Sequence, residues 1–387
     1  MKKQIVFVEH PNTTYTYKIA RSLKLTGRYE TVLITFSKVD KDFFSKAYDK
    51  IFEFELSHKV NPKNLLKFPL RIMSKEFRYF LRKIRNLDPF IFQITGPDLF
   101  TAFIMFILNK KPKIYFAYDI WAFYNRKFSI MNNLKVKEFF QKRIEKICFK
   151  KADGILHKSA PESLKLLGYS VNKPVLSPEI LCLDEFVIPP KKKQKNRKLH
   201  LVYAGGPIPE CKERISFLKI IKEITSQKMH FHTYGPCLNK KDNYLFKDEA
   251  KKNQYFHMHD KVNPEKLKKD ISEFDYGIVP AFLNDSIIDP RLKNTSVANK
   301  MYDYTEAGIP IILGVPCGFA SKIVKENKIG ICVEYRDIKN LKKILNKVNY
   351  KEMQNNIKKA QNKNRLSKKI KEFEKFYELV VSKYKKS

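Results

Sequence analysis

Short apolar strands alternate with helices along almost the whole chain, and this alternation constrains the fold more than any other feature. The strands are continuously apolar, which is typical of parallel sheets covered by helices on both faces. The sequence predicts strands in two series, at residues 4–8, 31–36, 51–56, 90–95, 113–118 and 154–157, and then at 199–204, 230–234, 255–258, 276–279, 309–313 and 331–334. Two successive series predict two α/β domains.

A lysine-rich run from Pro189 to Lys198 separates the two series and has the composition of a linker. We therefore expect one domain at residues 1–190, a second at 191–365 and a final helix at 366–387. The fold class is α/β, with two Rossmann-like domains facing a cleft. The final helix places apolar residues on one face, which we expect to pack back on the first domain: Phe373, Phe376, Leu379 and Val380.

Composition excludes disorder for most of the chain but leaves the role of its charge open. The 387 residues include 30 Phe and 20 Tyr, and the formal net charge is +37. The excess of basic residues covers both halves of the chain, so it reflects either an AT-rich genome or a polyanionic partner. Residues 61–86 and 126–151 mix basic and apolar residues at helical spacing, as a helix lying on an anionic membrane surface does.

The sequence lacks the motifs by which several classes of protein are usually identified. The six cysteines form no CxxC or zinc-ligand spacing, and we expect reduced thiols in a cytoplasmic protein. The longest apolar stretch, residues 99–108, is about half the roughly 20 residues that span a bilayer. The sequence contains no G-x-G-x-x-G after a strand, no P-loop and no G-x-S-x-G. Dehydrogenase, NTPase and hydrolase functions are therefore not indicated.

Glycines and a helix start mark a candidate site in the second series. Gly205-Gly206 and Gly235 directly follow strands, where ligands of open α/β sheets bind. A polar loop at residues 294–296 precedes a helix for which Ser296 is the expected N-cap. The free N–H groups of such a start favour phosphate, and Lys300 and Asp303 share one face of that helix.

These segments resemble the GT-B glycosyltransferases, particularly family 4 (glycosyltransferase group 1). The block NKMYDYTEAGIPIILG is similar to the family's "P-x-K-x-x-E-Y-x-A-x-G-x-P-V-I" segment. LVYAGGPIPECKE resembles its "Gly-Arg-Leu-x-x-x-Lys-Gly" loop, and FHMHDKVNPEKLKKDISEFDYGIVPA resembles the strands beside the base. KADGILHKSAPESLKLLG is similar to "A-D-x-I-I-x-x-S-x-x-x-x-x-x-L" in the first half. The resemblance covers about residues 150–335.

The resemblance implies roles for individual residues. Asp303 matches the acid that binds the donor ribose, and Lys300 lies beside the diphosphate. Lys212 or Arg214 matches the cation that stabilises the leaving group, and Asp119 lies at the acceptor side. Further donor-binding positions are Gly205, Gly206, Gly235, His259, Asp260, Ser296, Val297, Ala298 and Asn299, and the loop after the first strand supplies the acceptor-side residues His10 and Asn12.

The implied reaction is hexosyl transfer, with retained stereochemistry, from a UDP- or GDP-sugar. No cofactor or metal is expected, and Asp40-Lys41-Asp42, which matches a metal-binding DxD, is expected to be solvated surface. The family's E-x7-E pair has Thr295 in place of its first Glu, so retaining and inverting chemistry both stay open. The histidine pairs 230/232 and 257/259 are interpreted as structural or base-side residues.

The sequence therefore predicts a metal-independent glycosyltransferase of surface polysaccharide or glycoconjugate synthesis. Its expected partners are a nucleotide sugar, a glycan or polyprenyl-linked glycan acceptor and, peripherally, the anionic inner face of the cell membrane. Two alternatives stay open. One is a catalytically silent GT-B-like subunit, and the other is a basic nucleic-acid-binding protein, although no nucleic-acid-binding motif is present.

Overall fold

The computed structural model describes residues 2–9, 14–36, 38–54, 75–96, 99–108, 110–118, 120, 132–168, 172–191, 198–210, 215–284 and 290–386. The chain forms two compact units. We call residues 1–181 with 366–387 the N-unit, and residues 182–365 the C-unit.

The N-unit is built on a parallel sheet. Its strands are β1 (Lys3–Glu9), β2 (Tyr29–Thr35), β3 (Lys50–Glu53), β4 (Ile91–Thr95), β5 (Lys113–Ala117), β6 (Gly154–His157) and β7 (Val175–Leu176). They lie in the order β3-β2-β1-β4-β5-β6-β7. The helices of residues 1–181 are α1 (Thr14–Leu25), α2 (Lys41–Phe44), α3 (Lys75–Asn86), α4 (Leu99–Ile107), α5 (Asn132–Lys151) and α6 (Ser163–Leu166). The central strand β1 is buried on both faces from Ile5 to Val8, as its continuous apolar sequence predicts.

The C-unit repeats this arrangement. Its strands are β8 (His200–Tyr203), β9 (His230–Tyr234), β10 (Phe256–His259), β11 (Tyr276–Val279), β12 (Ile311–Gly314) and β13 (Gly330–Val333), in the order β10-β9-β8-β11-β12-β13. All pairs are parallel, and the order is that of the Rossmann fold. The helices are α7 (Phe217–Thr225), α8 (Lys240–Lys252), α9 (Pro264–Ile271), α10 (Pro290–Thr295), α11 (Asn299–Glu306), α12 (Gly318–Glu326), α13 (Leu341–Lys347) and α14 (Tyr350–Asn364).

The last helix, α15 (Leu366–Lys386), belongs to the N-unit. Phe376 and Val380 pack at Gly154, where a methyl group would lie 2.4 Å from Val380 Cγ2. The hydroxyl of Tyr377 donates a 2.7 Å hydrogen bond to Gln93 Oε1. The expectation that Leu379 shares the buried face is wrong: its exposed fraction is 46%, because the buried stripe passes through Tyr377 and Val380 instead.

A buried hydroxyl holds the C-unit together below the loop that follows β8. Tyr304, on α11, accepts a 3.0 Å hydrogen bond from the N–H of Ala204. Its hydroxyl also lies 3.0 Å from the carbonyl oxygens of Val202 and Ile278, which share its single proton. One side chain therefore connects α11 to β8 and β11. Its hydrogen bond to Ala204 fixes the position at which the loop after β8 begins.

We expect Tyr304→Phe to lower the free energy of unfolding of the C-unit by about 1–3 kcal/mol, because it leaves buried backbone groups without a partner. Tyr276→Phe is the matched control: the Tyr276 hydroxyl is also buried, but it has no hydrogen-bond partner among the described residues. Urea denaturation followed by circular dichroism measures both variants. Equal destabilisation by the two substitutions would contradict the role given to the Tyr304 hydroxyl.

Candidate functional site

A cavity of about 500 Å³ lies beyond the carboxyl ends of β8 and β9, where the loops after the strands meet. This is the edge at which ligands of open α/β sheets bind. The lining residues come from the loops after β8, β9 and β10 and from α9 and α11: Tyr203, Gly205, Gly206, Pro207, Ile208, Pro209, Tyr234, Gly235, Pro236, Leu238, Lys261, Val262, Leu267 and Lys300. Among these are the predicted residues Gly205, Gly206, Gly235 and Lys300.

Two glycines let the loops after β8 and β9 come close enough to form this cavity. A methyl group on Gly206 would lie 2.1 Å from the carbonyl oxygen of Pro236, so no other residue fits without moving that backbone. Gly235 has φ +93°, a conformation that other residues rarely adopt. The Tyr234 N–H donates to the Gly205 carbonyl at 2.9 Å, which joins the two loops. Backbone groups of both loops therefore border the cavity.

Lys300 brings a positive charge to the cavity. Its Nζ lies 4.4 Å from the centroid of the Tyr203 ring, which orients the ammonium by a cation–π contact. A methyl group on Gly205 would lie 3.4 Å from Lys300 Cε, so the lysine stem passes directly against this glycine. Glycine at 205 thus leaves the cation accessible from the cavity.

The start of α11 differs from the prediction. The N-cap is Ala298, with φ −71° and ψ 135°, and not Ser296, because α10 and a short connection occupy residues 290–298. No side chain of the described residues caps this start, so its first N–H groups are not committed to a capping oxygen. Val297, predicted to contribute its N–H group, has a buried side chain. Ser296, Ala298 and Asn299 are half-buried.

Thr295, at the position of the family's first Glu, is the last residue of α10. It is buried, and its Oγ1 donates a 2.7 Å hydrogen bond to the carbonyl oxygen of Arg291. The hydroxyl is therefore used within its own helix. The resemblance consequently does not supply a sugar-binding carboxylate at this position.

Asp303 lies one turn after Lys300 and pairs with Lys268 of α9. The Lys268 Nζ also lies 3.7 Å from Glu306 Oε2, and the side chains of both Lys268 and Glu306 are almost fully buried. Burial alone lowers the pKa of Lys268, but the adjacent Asp303 and Glu306 carboxylates outweigh it and raise that pKa above its ordinary value. Sequence reasoning missed Lys268 and Glu306, because a lysine in a polar helix resembles any solvated lysine.

Five histidines form an imidazole ladder across β8, β9 and β10: His200, His230, His232, His257 and His259. His232 contacts two neighbours, with its Nε2 2.9 Å from His200 Nδ1 and its Nδ1 2.9 Å from His259 Nε2. His230 Nδ1 lies 2.8 Å from His257 Nε2. Each such contact needs one donor and one acceptor, so the arrangement suits neutral rings. The sequence predicts the pairs on β9 and β10 but not the contribution of His200.

The ladder ends at the cavity, since the His259 ring stacks on Tyr234 with 4.7 Å between centroids. His259 is thus next to the cavity, as predicted, while Asp260 is exposed just beyond it. Burial is the main reason that the pKa of His232 lies well below its ordinary value. The charges that His257, His200 and His259 would carry lower this pKa further. Burial also lowers the pKa values of His257 and His259, against the opposing effect of Asp270 on His259.

Five predicted residues lie outside the described part of the chain: Asp119, Lys212, Arg214, His10 and Asn12. Their roles at the acceptor and at the leaving group stay predictions. Asp40, the first residue of the DxD match, is exposed and caps α2 by accepting a 3.2 Å hydrogen bond from the Phe43 N–H. Within the described ranges, no group of three or more His, Cys, Asp or Glu is arranged to hold a metal ion.

Two further properties concern the described residues. The cysteines that the structure describes, at 148, 182, 237, 317 and 332, are free thiols. No helix in the described ranges combines the length and the apolar character needed to cross a bilayer.

We expect the C-unit to lose stability as the pH falls below about 6.5. A histidine whose pKa is lowered by folding stays neutral in the folded state, whereas the unfolded chain takes up a proton below its ordinary pKa, so acid favours unfolding. For His232 alone this predicts a loss of about 2 kcal/mol between pH 6.5 and pH 5.

Urea denaturation at pH 7 and pH 5 tests this expectation. His232→Leu should reduce the difference between the two pH values. His157→Leu is the control, because His157 is a buried histidine of the N-unit and should leave the pH response of the C-unit unchanged. A C-unit of equal stability at both pH values would contradict the neutral ladder.

Comparison with known proteins gives a family match to part of this chain. Residues 201–373 match the family model described as "Glucosyltransferase 3-like, C-terminal domain". The match begins at β8 and includes every residue that lines the cavity. No match was found among proteins with curated descriptions.

Solved structures show the same fold at low sequence identity. LpCGTa in complex with UDP has a TM-score of 0.58 at 12% identity, covering 97% of this chain and 99% of its own. Phytolacca americana UGT2, complexed with UDP-2fluoro-glucose and pterostilbene, has a TM-score of 0.55 at 12% identity, covering 99% of both chains. A UDP-N-acetylglucosamine 2-epimerase has a TM-score of 0.55 at 11% identity, covering 92% of this chain and 91% of its own.

These likenesses extend over both units, and both units are Rossmann-like parallel sheets of seven and six strands. The predicted fold class is therefore confirmed, whereas membership of family 4 in particular stays a prediction. This chain has the GT-B fold of glycosyltransferases, and the glucosyltransferase 3-like match lies on the half that carries the cavity.

Proposed function

We propose that this chain is a glycosyltransferase that binds a UDP-sugar in the C-unit cavity and transfers its hexosyl group to a glycan or lipid-linked glycan. The observation that carries the proposal is the cavity itself, whose wall combines glycine backbone with the Lys300 ammonium. It lies within the segment that matches the glucosyltransferase 3-like domain. Because the predicted acceptor is a glycan or a lipid-linked glycan, the proposed role of this activity is the synthesis of a surface polysaccharide or glycoconjugate.

The chemistry requires little from the protein beyond charge and position. The bond between the anomeric carbon and the diphosphate oxygen breaks, the acceptor hydroxyl oxygen bonds to that carbon, and the hydroxyl proton passes to the departing diphosphate or to solvent. The nucleoside diphosphate departs with increased negative charge. In this proposal Lys300 and the N–H groups at the start of α11 stabilise that charge, and no step uses a metal ion.

Additional roles follow the sequence predictions. Lys212 or Arg214 would add a second cation at the leaving diphosphate, and Asp119 would lie at the acceptor hydroxyl. His10 and Asn12 would contact the acceptor. Retention of stereochemistry is part of the proposal, but the carboxylate that the family has at position 295 is replaced by a buried threonine. Any residue that supports retention must therefore come from another part of the chain.

Uridine is proposed as the base because several structural neighbours are complexes with UDP or a UDP-sugar. The cavity supports a base-sized ligand, since Tyr234 and Leu267 supply apolar surface beside the backbone groups. GDP is the alternative to test, because Lys300 would contact any diphosphate in the same way.

We expect UDP, among UDP, GDP, ADP and CMP, to stabilise the protein by about 2.7 kcal/mol at 100 times its dissociation constant. Lys300→Met should abolish most of this stabilisation, because it removes the cation at the diphosphate. Lys322→Met is the control, since Lys322 is an exposed lysine of α12 outside the cavity. Thermal denaturation measures all three proteins. No stabilisation of the wild type by any of these nucleotides would contradict the proposal.

A second experiment separates transfer from the silent-subunit alternative. If UDP binds, incubation with UDP-sugars and measurement of released UDP shows whether the bound donor is turned over. Binding without release of UDP, in the presence of lipid-linked glycan acceptors, would favour the silent subunit.

We also propose that the N-unit associates peripherally with an anionic membrane surface. Of the basic segment at residues 61–86, the structure describes α3. Its apolar residues Phe77, Phe80 and Ile84 are buried within the protein and not directed outward. Its outer face is cationic, with Arg78, Arg82 and Arg85 exposed beside Tyr79, whose exposed fraction is 58%. Charge, and not apolar insertion, is therefore the proposed source of binding.

We expect the full chain to sediment with vesicles that contain 30% phosphatidylglycerol, and not with phosphatidylcholine vesicles. Replacing Arg78, Arg82 and Arg85 by Gln should weaken binding about 100-fold, at about 1 kcal/mol for each charge. The matched control replaces Lys339, Lys342 and Lys343, exposed lysines of the C-unit. Equal effects of the two triple variants would show nonspecific attraction by net charge and contradict the role given to α3.

A further inference from the structure

We propose that the C-unit has its own membrane-binding surface at the start of α8, which inserts apolar side chains into a bilayer with anionic headgroups. This surface, which we call the α8 surface, consists of three apolar residues and three lysines: Leu238, Tyr244, Leu245, Lys240, Lys241 and Lys247. It is separate from α3, the helix of the N-unit for which binding by charge is proposed above. The membrane contact does not depend on the binding of a nucleotide.

Exposed apolar side chains are concentrated at the α8 surface. Of the nine large apolar side chains that are exposed among the described residues, three lie between residues 238 and 245. No other described stretch of eight residues has more than one of them. The exposed fraction is 93% for Leu238, 76% for Tyr244 and 41% for Leu245. A single exposed leucine is ordinary on a protein surface, whereas a group of apolar side chains marks a contact surface.

The local sequence explains why Leu238 stays exposed. It precedes the N-cap of α8, a position whose apolar side chain commonly packs against the fourth residue of the helix. Here that fourth residue is Asn243, whose Oδ1 accepts a 3.0 Å hydrogen bond from the Cys237 N–H. Further along α8, Phe246 is buried in the core, so Tyr244, two residues earlier, lies on the opposite side of the helix.

Lysines surround these apolar side chains. Residues three and four apart are neighbours on a helix, which places Lys240, Lys241 and Lys247 beside Tyr244. All three lysines are exposed, and they form no ion pair with the described residues. The acidic residues of α8 have other partners, namely the Glu210 N–H for Asp242, Lys252 for Asp248 and Lys222 for Glu249. The α8 surface is therefore cationic as well as apolar.

This combination fits a lipid surface. Apolar side chains enter the boundary between headgroups and acyl chains, while lysines remain among the anionic headgroups. Tyrosine suits this boundary because its ring is apolar and its hydroxyl is polar. Three side chains also cover far less than the area of about 800 Å² that each partner contributes to a stable protein–protein interface. Charge and size together therefore favour an anionic bilayer over a protein partner.

The α8 surface borders the cavity of the C-unit. Leu238 belongs to both, since it is one of the residues that line the cavity. Insertion of Leu238 would place the cavity beside the headgroups, where an acceptor on a lipid carrier is presented. This consequence rests on the function proposed above, whereas the membrane contact itself does not.

A tryptophan at position 238 measures the insertion. We expect the added fluorescence of Leu238→Trp to fall by about half on vesicles that contain 30% phosphatidylglycerol and brominated acyl chains, because bromine quenches tryptophan only at close contact. The wild type, with its own Trp121, gives the background. Leu25→Trp is the matched control: Leu25 ends α1, has an exposed fraction of 59% and follows Lys24. Its fluorescence should not change on brominated vesicles.

Removal of the apolar side chains gives a second test. We expect L238S/Y244S/L245S to bind these vesicles at least about tenfold more weakly, because three side chains lose their burial in the bilayer. The control L25S/L379S removes two exposed leucines of the N-unit and should bind as the wild type does. Melting temperatures close to that of the wild type show that both variants are folded.

Each outcome decides the inference separately from the proposed function. Quenching at position 238 but not at position 25 supports it. Binding to the vesicles without quenching at position 238, or equal quenching at both positions, would overturn it and leave binding through α3 standing. Unchanged binding by L238S/Y244S/L245S would also overturn it. Absence of any binding to anionic vesicles would overturn both membrane proposals, while the donor site would still be decided by the binding of UDP.

Discussion

The parallel pairing of β8 with β9 and β11 is the constraint on which the candidate site depends. Parallel strands place all their carboxyl ends at one edge, and β8 lies where the strand order changes direction. The loops after β8 and β9 then meet beyond this edge, and only glycine at 206 permits the contact with Pro236. The Tyr304 hydroxyl accepts a hydrogen bond from the Ala204 N–H and so fixes the position at which the loop after β8 begins. The cavity therefore follows from strand direction, one close backbone approach and one buried hydroxyl.

The charged and titratable side chains of the C-unit lie in three different environments. Lys300 is a partly exposed cation held against an aromatic ring, and it suits a ligand anion. Lys268 lies in a buried cluster with the carboxylates of Asp303 and Glu306. The imidazole ladder is a neutral array whose protonation is opposed by burial. Of the three, only the Lys300 environment lines the cavity, whereas the ladder is expected to make the same unit sensitive to acid.

The regular elements of this fold could be predicted because their signals are local. Strands β6, β9 and β11 have the bounds that the apolar runs at 154–157, 230–234 and 276–279 predict. The prediction was weaker where local signals were short or misleading. The two-residue strand β7 and the helix α10 were missed, and the presence of α10 displaced the start of α11 from Ser296 to Asn299. Leu379 matched the helical spacing of its neighbours but lies at the exposed edge of the stripe.

The site was predictable at its glycines and at Lys300, since these residues follow strands or open a helix. Lys268 and Glu306 gave no such signal: Lys268 lies 35 residues before Asp303, and only the packing of α9 against α11 brings them together. His200 likewise could not be assigned to the imidazole ladder from the sequence, because its partner His232 lies on the neighbouring strand β9. Pairings across distant elements are set by tertiary packing, and one sequence does not reveal them.

Hydrogen–deuterium exchange of the full chain, with and without UDP, tests most directly the claim that the C-unit cavity holds the nucleotide. We expect slower exchange with UDP in peptides that cover residues 204–206, 234–238 and 298–303, because in the proposed function these backbone groups border the bound diphosphate and base. Peptides from α13 and α14, away from the cavity, should exchange at unchanged rates. Protection confined to the N-unit, or no protection at saturating UDP, would contradict the assignment of this cavity as the donor site.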